Sequence, residues 1–159
     1  MIGDGDPHVL RATFDDSPEL YDRTRIVAPR ELFDDLVALA SLAPGARVLE
    51  IGCGTGQATM PLAERGFEIV AVELGESLAA FARRKLARFP QVEIVASPFE
   101  QWDARGERFD AVVAFNSFHW VDPELRFAPR CSGADDQTDD GRGALRRRAR
   151  VAADGLRRL

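Results

Sequence analysis

The chain has 159 residues, 45% of them apolar and 30% charged, with a formal net charge of −5. That is enough for one domain with a core and too little for two of ordinary size, and the acidic balance argues against a general binder of nucleic acid or of a membrane surface. No apolar run approaches the ~20 residues of a membrane span, the N-terminus lacks a basic start followed by an apolar stretch, and two cysteines, Cys53 and Cys131, make neither a disulfide framework nor a zinc site. A reducing cytoplasm is the expected compartment, and no metal is expected.

In "PRELFDDLVALASL" the apolar residues Leu32, Phe33, Leu36, Val37, Leu39 and Ala40 recur at helical spacing, with Pro29 suited to a first turn. "APGA" ends that helix. "RVLEI" is a short buried strand that runs into a glycine loop. A helix is expected from Gln57 to Arg65, stopped at Gly66, and then a second strand, "FEIVAVE". Ser77 can cap a helix through Phe89, with Pro90 beyond its end. "VEIVAS" and "FDAVVAFNS" read as the third and fourth strands. Strands alternating with helices imply parallel βαβ units. The expected fold is therefore α/β, a Rossmann-like doubly wound parallel sheet of which the first four strands are recognisable. Its ligand site should lie at the carboxyl ends of the strands.

The glycine loop, "VLEIGCGTGQAT", places Gly52, Gly54 and Gly56 at alternate positions between a strand and a helix, the context in which such a motif carries weight. Glycine allows a close backbone approach that any Cβ would block. A dinucleotide fingerprint is G-x-G-x-x-G and needs glycine where Gln57 stands, which disfavours a nicotinamide-dependent oxidoreductase. The absence of G-K-[ST] excludes a nucleoside-triphosphate P-loop. Glu73 ends the second strand, 21 residues after Gly52, where an acid can accept both hydroxyls of a ribose. The ligand is expected to be a nucleoside with a non-phosphate tail.

The acid-x-Gly-x-Gly-x-Gly pattern at Glu50, Gly52, Gly54 and Gly56, followed by "VAVE", resembles the first two motifs of class I S-adenosylmethionine-dependent methyltransferases. "FDDSPELYDRTR" with "ELFDDLVALASL", and "FDAVVAFNSFHWVDPE", are similar to the N-terminal region and fourth-strand motif of their type 11-like small-molecule branch. The resemblance implies S-adenosylmethionine as cofactor and a small-molecule methyl acceptor. It implies that Gly52 to Gly56 face the methionine moiety, that Glu50 lies near its amino group or braces the loop, and that Glu73 holds the ribose. Ser97, Pro98 and Phe99 would meet the adenine, and Asn116 and Ser117 would end the fourth strand beside the methyl group. Tyr21 and Arg25 would close over the cofactor. Methyl transfer from a sulfonium needs alignment more than a catalytic group. His119 is the candidate general base, set against a histidine bonded into a turn or lining the pocket.

Residues 1–127 are expected to form the cofactor-binding core with its N-terminal helical region. They hold all ten Phe, both Trp and the Tyr, whereas residues 128–159 hold eight Arg and five Asp and no aromatic residue. Composition predicts disorder over 128–159. Arginine outnumbers lysine 20 to one, Lys85 being the sole lysine, as in a GC-rich gene. Such a tail is what a GC-rich gene yields out of frame, so the expectation is a frameshift close to residue 128 and a truncated methyltransferase. A fourth strand left as an edge would favour self-association. The alternative function is a non-catalytic remnant that binds cofactor weakly or not at all.

Overall fold

The computed structural model describes residues 17–25, 28–104 and 106–117. His119, the tail 128–159 and the domain boundary at 127 lie outside the described residues. In chain order the elements are α1 (Pro18–Thr24), α2 (Arg30–Ala40), β1 (Arg47–Ile51), α3 (Thr59–Glu64), β2 (Glu68–Glu73), α4 (Glu76–Lys85), β3 (Val92–Ala96), a single 3₁₀ turn (Phe99–Gln101) and β4 (Ala111–Val113).

The four strands are all parallel, in the order β3-β2-β1-β4. This is the Rossmann-like arrangement the sequence predicts, with β4 at the edge of the described sheet. The apolar runs are buried on both faces, as a parallel sheet requires. One face, carrying Val48, Ile69, Ala71, Ile94 and Val113, packs on Phe33 and Leu36 of α2, Leu62 of α3, and Ala79 and Ala82 of α4. The other, carrying Leu49, Val70 and Val72, is covered by Phe99, Trp102 and Phe109.

Several boundaries differ from the sequence reading, each for a local reason. α2 buries Phe33, Leu36 and Ala40, but Leu39 is 73% exposed and lies off the packed face. The helix closes at Ser41, whose φ of 52° lets Leu42 N–H reach back to the Val37 carbonyl. α3 begins at Thr59, not Gln57, because the chain is still turning through the loop, with Gly56 N–H bonded to the Cys53 carbonyl. α4 starts after Gly75, with Ser77 inside its first turn and not at the cap. It ends at Lys85, since Phe89 N–H closes a turn onto Leu86 that redirects the chain into β3. β4 spans only three residues of the nine expected, because Asn116 takes a left-handed φ of 56° and bends the chain away from the ladder.

Candidate functional site

An open cleft with a cavity volume of about 110 Å³ lies at the carboxyl ends of the strands, lined by residues of the glycine loop, β2, the β3 turn, the end of β4 and α1. The walls include Tyr21, Arg25, Gly52, Gly54, Glu73, Ser97, Phe99 and Asn116. Eight of the ten predicted cofactor residues are thus brought together. Glu50 and Gly56 are not among the lining residues.

The loop is held open by hydrogen bonds to β2. Gly52 N–H donates to the Val72 carbonyl at 2.7 Å. Gly54 N–H donates to Glu73 Oε2 at 2.7 Å, and Gly75 N–H donates to Glu73 Oε1 at 3.0 Å. Glu73 is buried at the floor of the cleft and ties the glycine loop to the start of α4. The sequence spacing pointed to Glu73 as a ribose acceptor but gave no sign of this bracing role.

Three glycines with positive φ make this loop, and each is small for a different neighbour. A Cβ on Gly52 would lie 2.5 Å from Ser117 Cβ, and one on Gly54 would lie 3.2 Å from Tyr21 Cε1. The first two glycines therefore face the cleft side, where the fourth-strand end and α1 approach. A Cβ on Gly56 would lie 2.7 Å from Leu86 Cδ1. Gly56 lets α4 pack on the loop, and this is why it is absent from the cleft wall.

Glu50 is the most deeply buried acid, 1% exposed on the helix side of β1. Its Oε2 has no hydrogen-bond partner among the described residues. Burial pushes its carboxyl up to about 7; the Thr59 hydroxyl favours the ionised form and the Glu73 charge opposes it. Glu50 is buried in the core and does not line the cleft. Cys53, also buried, has its thiol pushed well up, first by burial and then by the charges of Glu50 and Glu73. That leaves it the unreactive filler expected of a buried thiol.

Over the cleft, the Arg25 guanidinium stacks on the Tyr21 ring at 4.7 Å. Ser97 Oγ donates to the Pro98 carbonyl at 3.0 Å, and Ser97 N–H donates to the Glu73 carbonyl at 2.8 Å, so the β3 turn is fastened to β2. Phe99 stacks beside Trp102 with ring centroids 6.2 Å apart and presents an apolar wall. Asn116 is turned into the site by its left-handed backbone, and the Ser117 hydroxyl donates to the Ile51 carbonyl. Leu74, Gly75, Leu78 and Glu100 also line the cleft. Only the proximity of Leu74 and Gly75 to Glu73 could have signalled them in the sequence.

A family model described as a methyltransferase domain matches residues 48–131, more than half of the chain. An uncharacterized methyltransferase of Mycobacterium tuberculosis strain H37Rv is 33% identical over 114 residues, covering 72% of this chain and 44% of that protein. The trans-aconitate 2-methyltransferase of Variovorax paradoxus is 30% identical over 120 residues, covering 74% and 45% respectively. Among solved structures, the CcbJ methyltransferase of Streptomyces caelestis matches with a TM-score of 0.55 at 31% identity, covering 66% of this chain and 44% of that one. The fold and the loop define a nucleoside-binding α/β domain. The chain belongs to the class I S-adenosylmethionine-dependent methyltransferases. It spans less than half the length of each of these relatives.

Proposed function

We propose that the chain carries the cofactor site of an enzyme that transfers a methyl group from S-adenosylmethionine to a small-molecule acceptor in the cytoplasm. The observation that carries this reading is Glu73, whose buried carboxylate closes the floor of the cleft while bonded to the glycine loop on one side and to α4 on the other. The acceptor class rests on relatives such as the trans-aconitate 2-methyltransferase.

The residues present fit the cofactor. The cradle at Gly52 and Gly54 is one that a Cβ would fill, and the Glu73 carboxylate beside it is a charged acceptor suited to ribose hydroxyls. Phe99 gives an apolar face suited to a purine, beside the Ser97 backbone. Bound there, S-adenosylmethionine supplies a methyl group already activated by the sulfonium charge. The protein's part is then alignment and exclusion of water, which can contribute about 7–11 kcal/mol in favourable cases. Tyr21 and Arg25 shield the cleft from the α1 side, and Asn116 orients the acceptor side with its amide.

Calorimetric titration of the 159-residue chain with S-adenosylhomocysteine, with NAD as control, tests this reading. Saturable binding of the first and none of the second is expected. A preference for NAD, or a folded sample that takes up neither, would overturn it.

A further inference from the structure

α1 lies over the glycine loop without a buried residue of its own. Leu20 is 61% exposed. A helix of two turns has no stability of its own in water. Its placement therefore depends on the contacts it makes with the rest of the domain. Tyr21 rests its ring on Gly54. Asp22 makes the polar ones. Its Oδ1 accepts from Lys85 Nζ at 2.6 Å, and its backbone carbonyl accepts from Gln57 Nε2 at 2.7 Å, with the same amide 3.4 Å from Oδ1.

These partners come from the glycine loop and from α4, both of which border the cleft. Gln57 follows Gly56 directly, and Lys85 is the last residue of α4 and the only lysine in the chain. The pair is only 24–25% exposed, so it is screened less than a surface pair and holds more firmly. Burial alone would push the Asp22 carboxyl up. The Lys85 ammonium, with the Thr55 hydroxyl and the Gln57 amide, outweighs that and holds it below its ordinary value. Asp22 directly follows Tyr21 and lies three residues before Arg25, both of which line the cleft. Fixing Asp22 therefore fixes both.

We propose that Asp22, Gln57 and Lys85 are positioning residues that latch α1 across the glycine loop and thereby set how long the cofactor stays in the cleft. The proposal rests on the cofactor reading above. Gln57, which departs from the dinucleotide fingerprint, then has a use of its own. It is the loop's hold on the helix above it.

The test measures association and dissociation rates of S-adenosylhomocysteine by stopped flow on the full chain and on Asp22→Asn, Gln57→Ala, Lys85→Met and Lys85→Arg. The latch predicts a dissociation rate about fivefold to tenfold faster in the first three, a range typical of losing one partly buried polar contact. Lys85→Arg should return to within about twofold of the unaltered chain, because the charge is kept. Raising salt from about 50 mM to about 1 M should speed dissociation more from the unaltered chain than from Asp22→Asn, since only the former has the Asp22–Lys85 pair to screen. A lower melting temperature with unaltered dissociation rates would make these contacts merely structural and overturn the latch. No binding by the unaltered chain would overturn the latch together with the cofactor reading, whereas binding with uniform rates overturns the latch alone.

Discussion

Glu73 Oε2 accepts the Gly54 N–H at 2.7 Å, so the acid at the end of β2 and the middle glycine of the loop after β1 form one unit. Charge-assisted bonds of this kind contribute about 1.5–3 kcal/mol. Glu73→Ala should therefore abolish saturable S-adenosylhomocysteine binding and lower the melting temperature as well. Glu73→Gln keeps the shape and one carbonyl acceptor, and should fold while binding at least about tenfold more weakly. Calorimetry beside thermal melts separates the two effects. Full affinity in Glu73→Gln would mean the carboxylate charge plays no part in binding.

The glycines should divide by function. Gly56→Ala meets Leu86 Cδ1 at 2.7 Å in a loop with a φ of 77°, so it should cost about 1–3 kcal/mol in urea unfolding. Its folded fraction should still bind, because Gly56 does not line the cleft. Adding Leu86→Ala makes room for the new methyl but leaves its own cavity and the backbone strain. The double variant should therefore lose less than the sum of the two single changes. Gly52→Ala meets Ser117 at the cleft wall and should lose both stability and affinity.

Glu50 predicts a pH dependence of stability. Its carboxyl is raised to about 7 in the folded chain from an ordinary 4.5, so the folded state holds this proton more tightly. The contribution is fully present below pH about 4.5 and is lost as pH rises through about 7. Stability should fall across that window and level off above it. Glu50→Gln, uncharged at every pH, should remove the slope. Melts at closely spaced pH values check this, and an unchanged slope in Glu50→Gln would assign it to another group. Asp22, held low, acts oppositely: its contribution is lost as pH falls through its lowered value.

Tyr21 should contribute through its ring. Tyr21→Phe keeps the face that meets Gly54 and Arg25, and should bind S-adenosylhomocysteine within about threefold of the unaltered chain, whereas Tyr21→Ala should lose about tenfold or more. Equal losses in both would shift the role to the hydroxyl.

The strands and the cleft were legible in the sequence because they rest on local signals. "RVLEI" is β1 to the residue, and the alternation of apolar runs with helical segments gave the parallel sheet. Glu73 could be placed because strand length and loop spacing fix where an acid ends. What could not be read depends on contacts between distant segments. Gly75 displaces Ser77 as the start of α4 because Glu73 holds its N–H. Gly56 answers to Leu86, 30 residues on, and the Asp22–Lys85 pair joins residues 63 apart. Neither leaves a mark in any short window. Leu39 looked like core because helical periodicity defines a stripe, not which edge of the stripe meets a neighbour.

The bond between Gly54 and Glu73 also fixes when the site can exist during folding. Its two halves are 19 residues apart, one in the loop after β1 and the other at the end of β2. A nascent chain that has emerged only as far as α3 contains every glycine of the loop, but has neither the Val72 carbonyl nor the Glu73 carboxylate that hold it. The loop gains both of these anchors only when β2 pairs with β1, Ile51 against Val72. Under the proposed function, affinity for the nucleoside should therefore report on that one strand pairing and be absent from any shorter fragment however faithfully it keeps the motif.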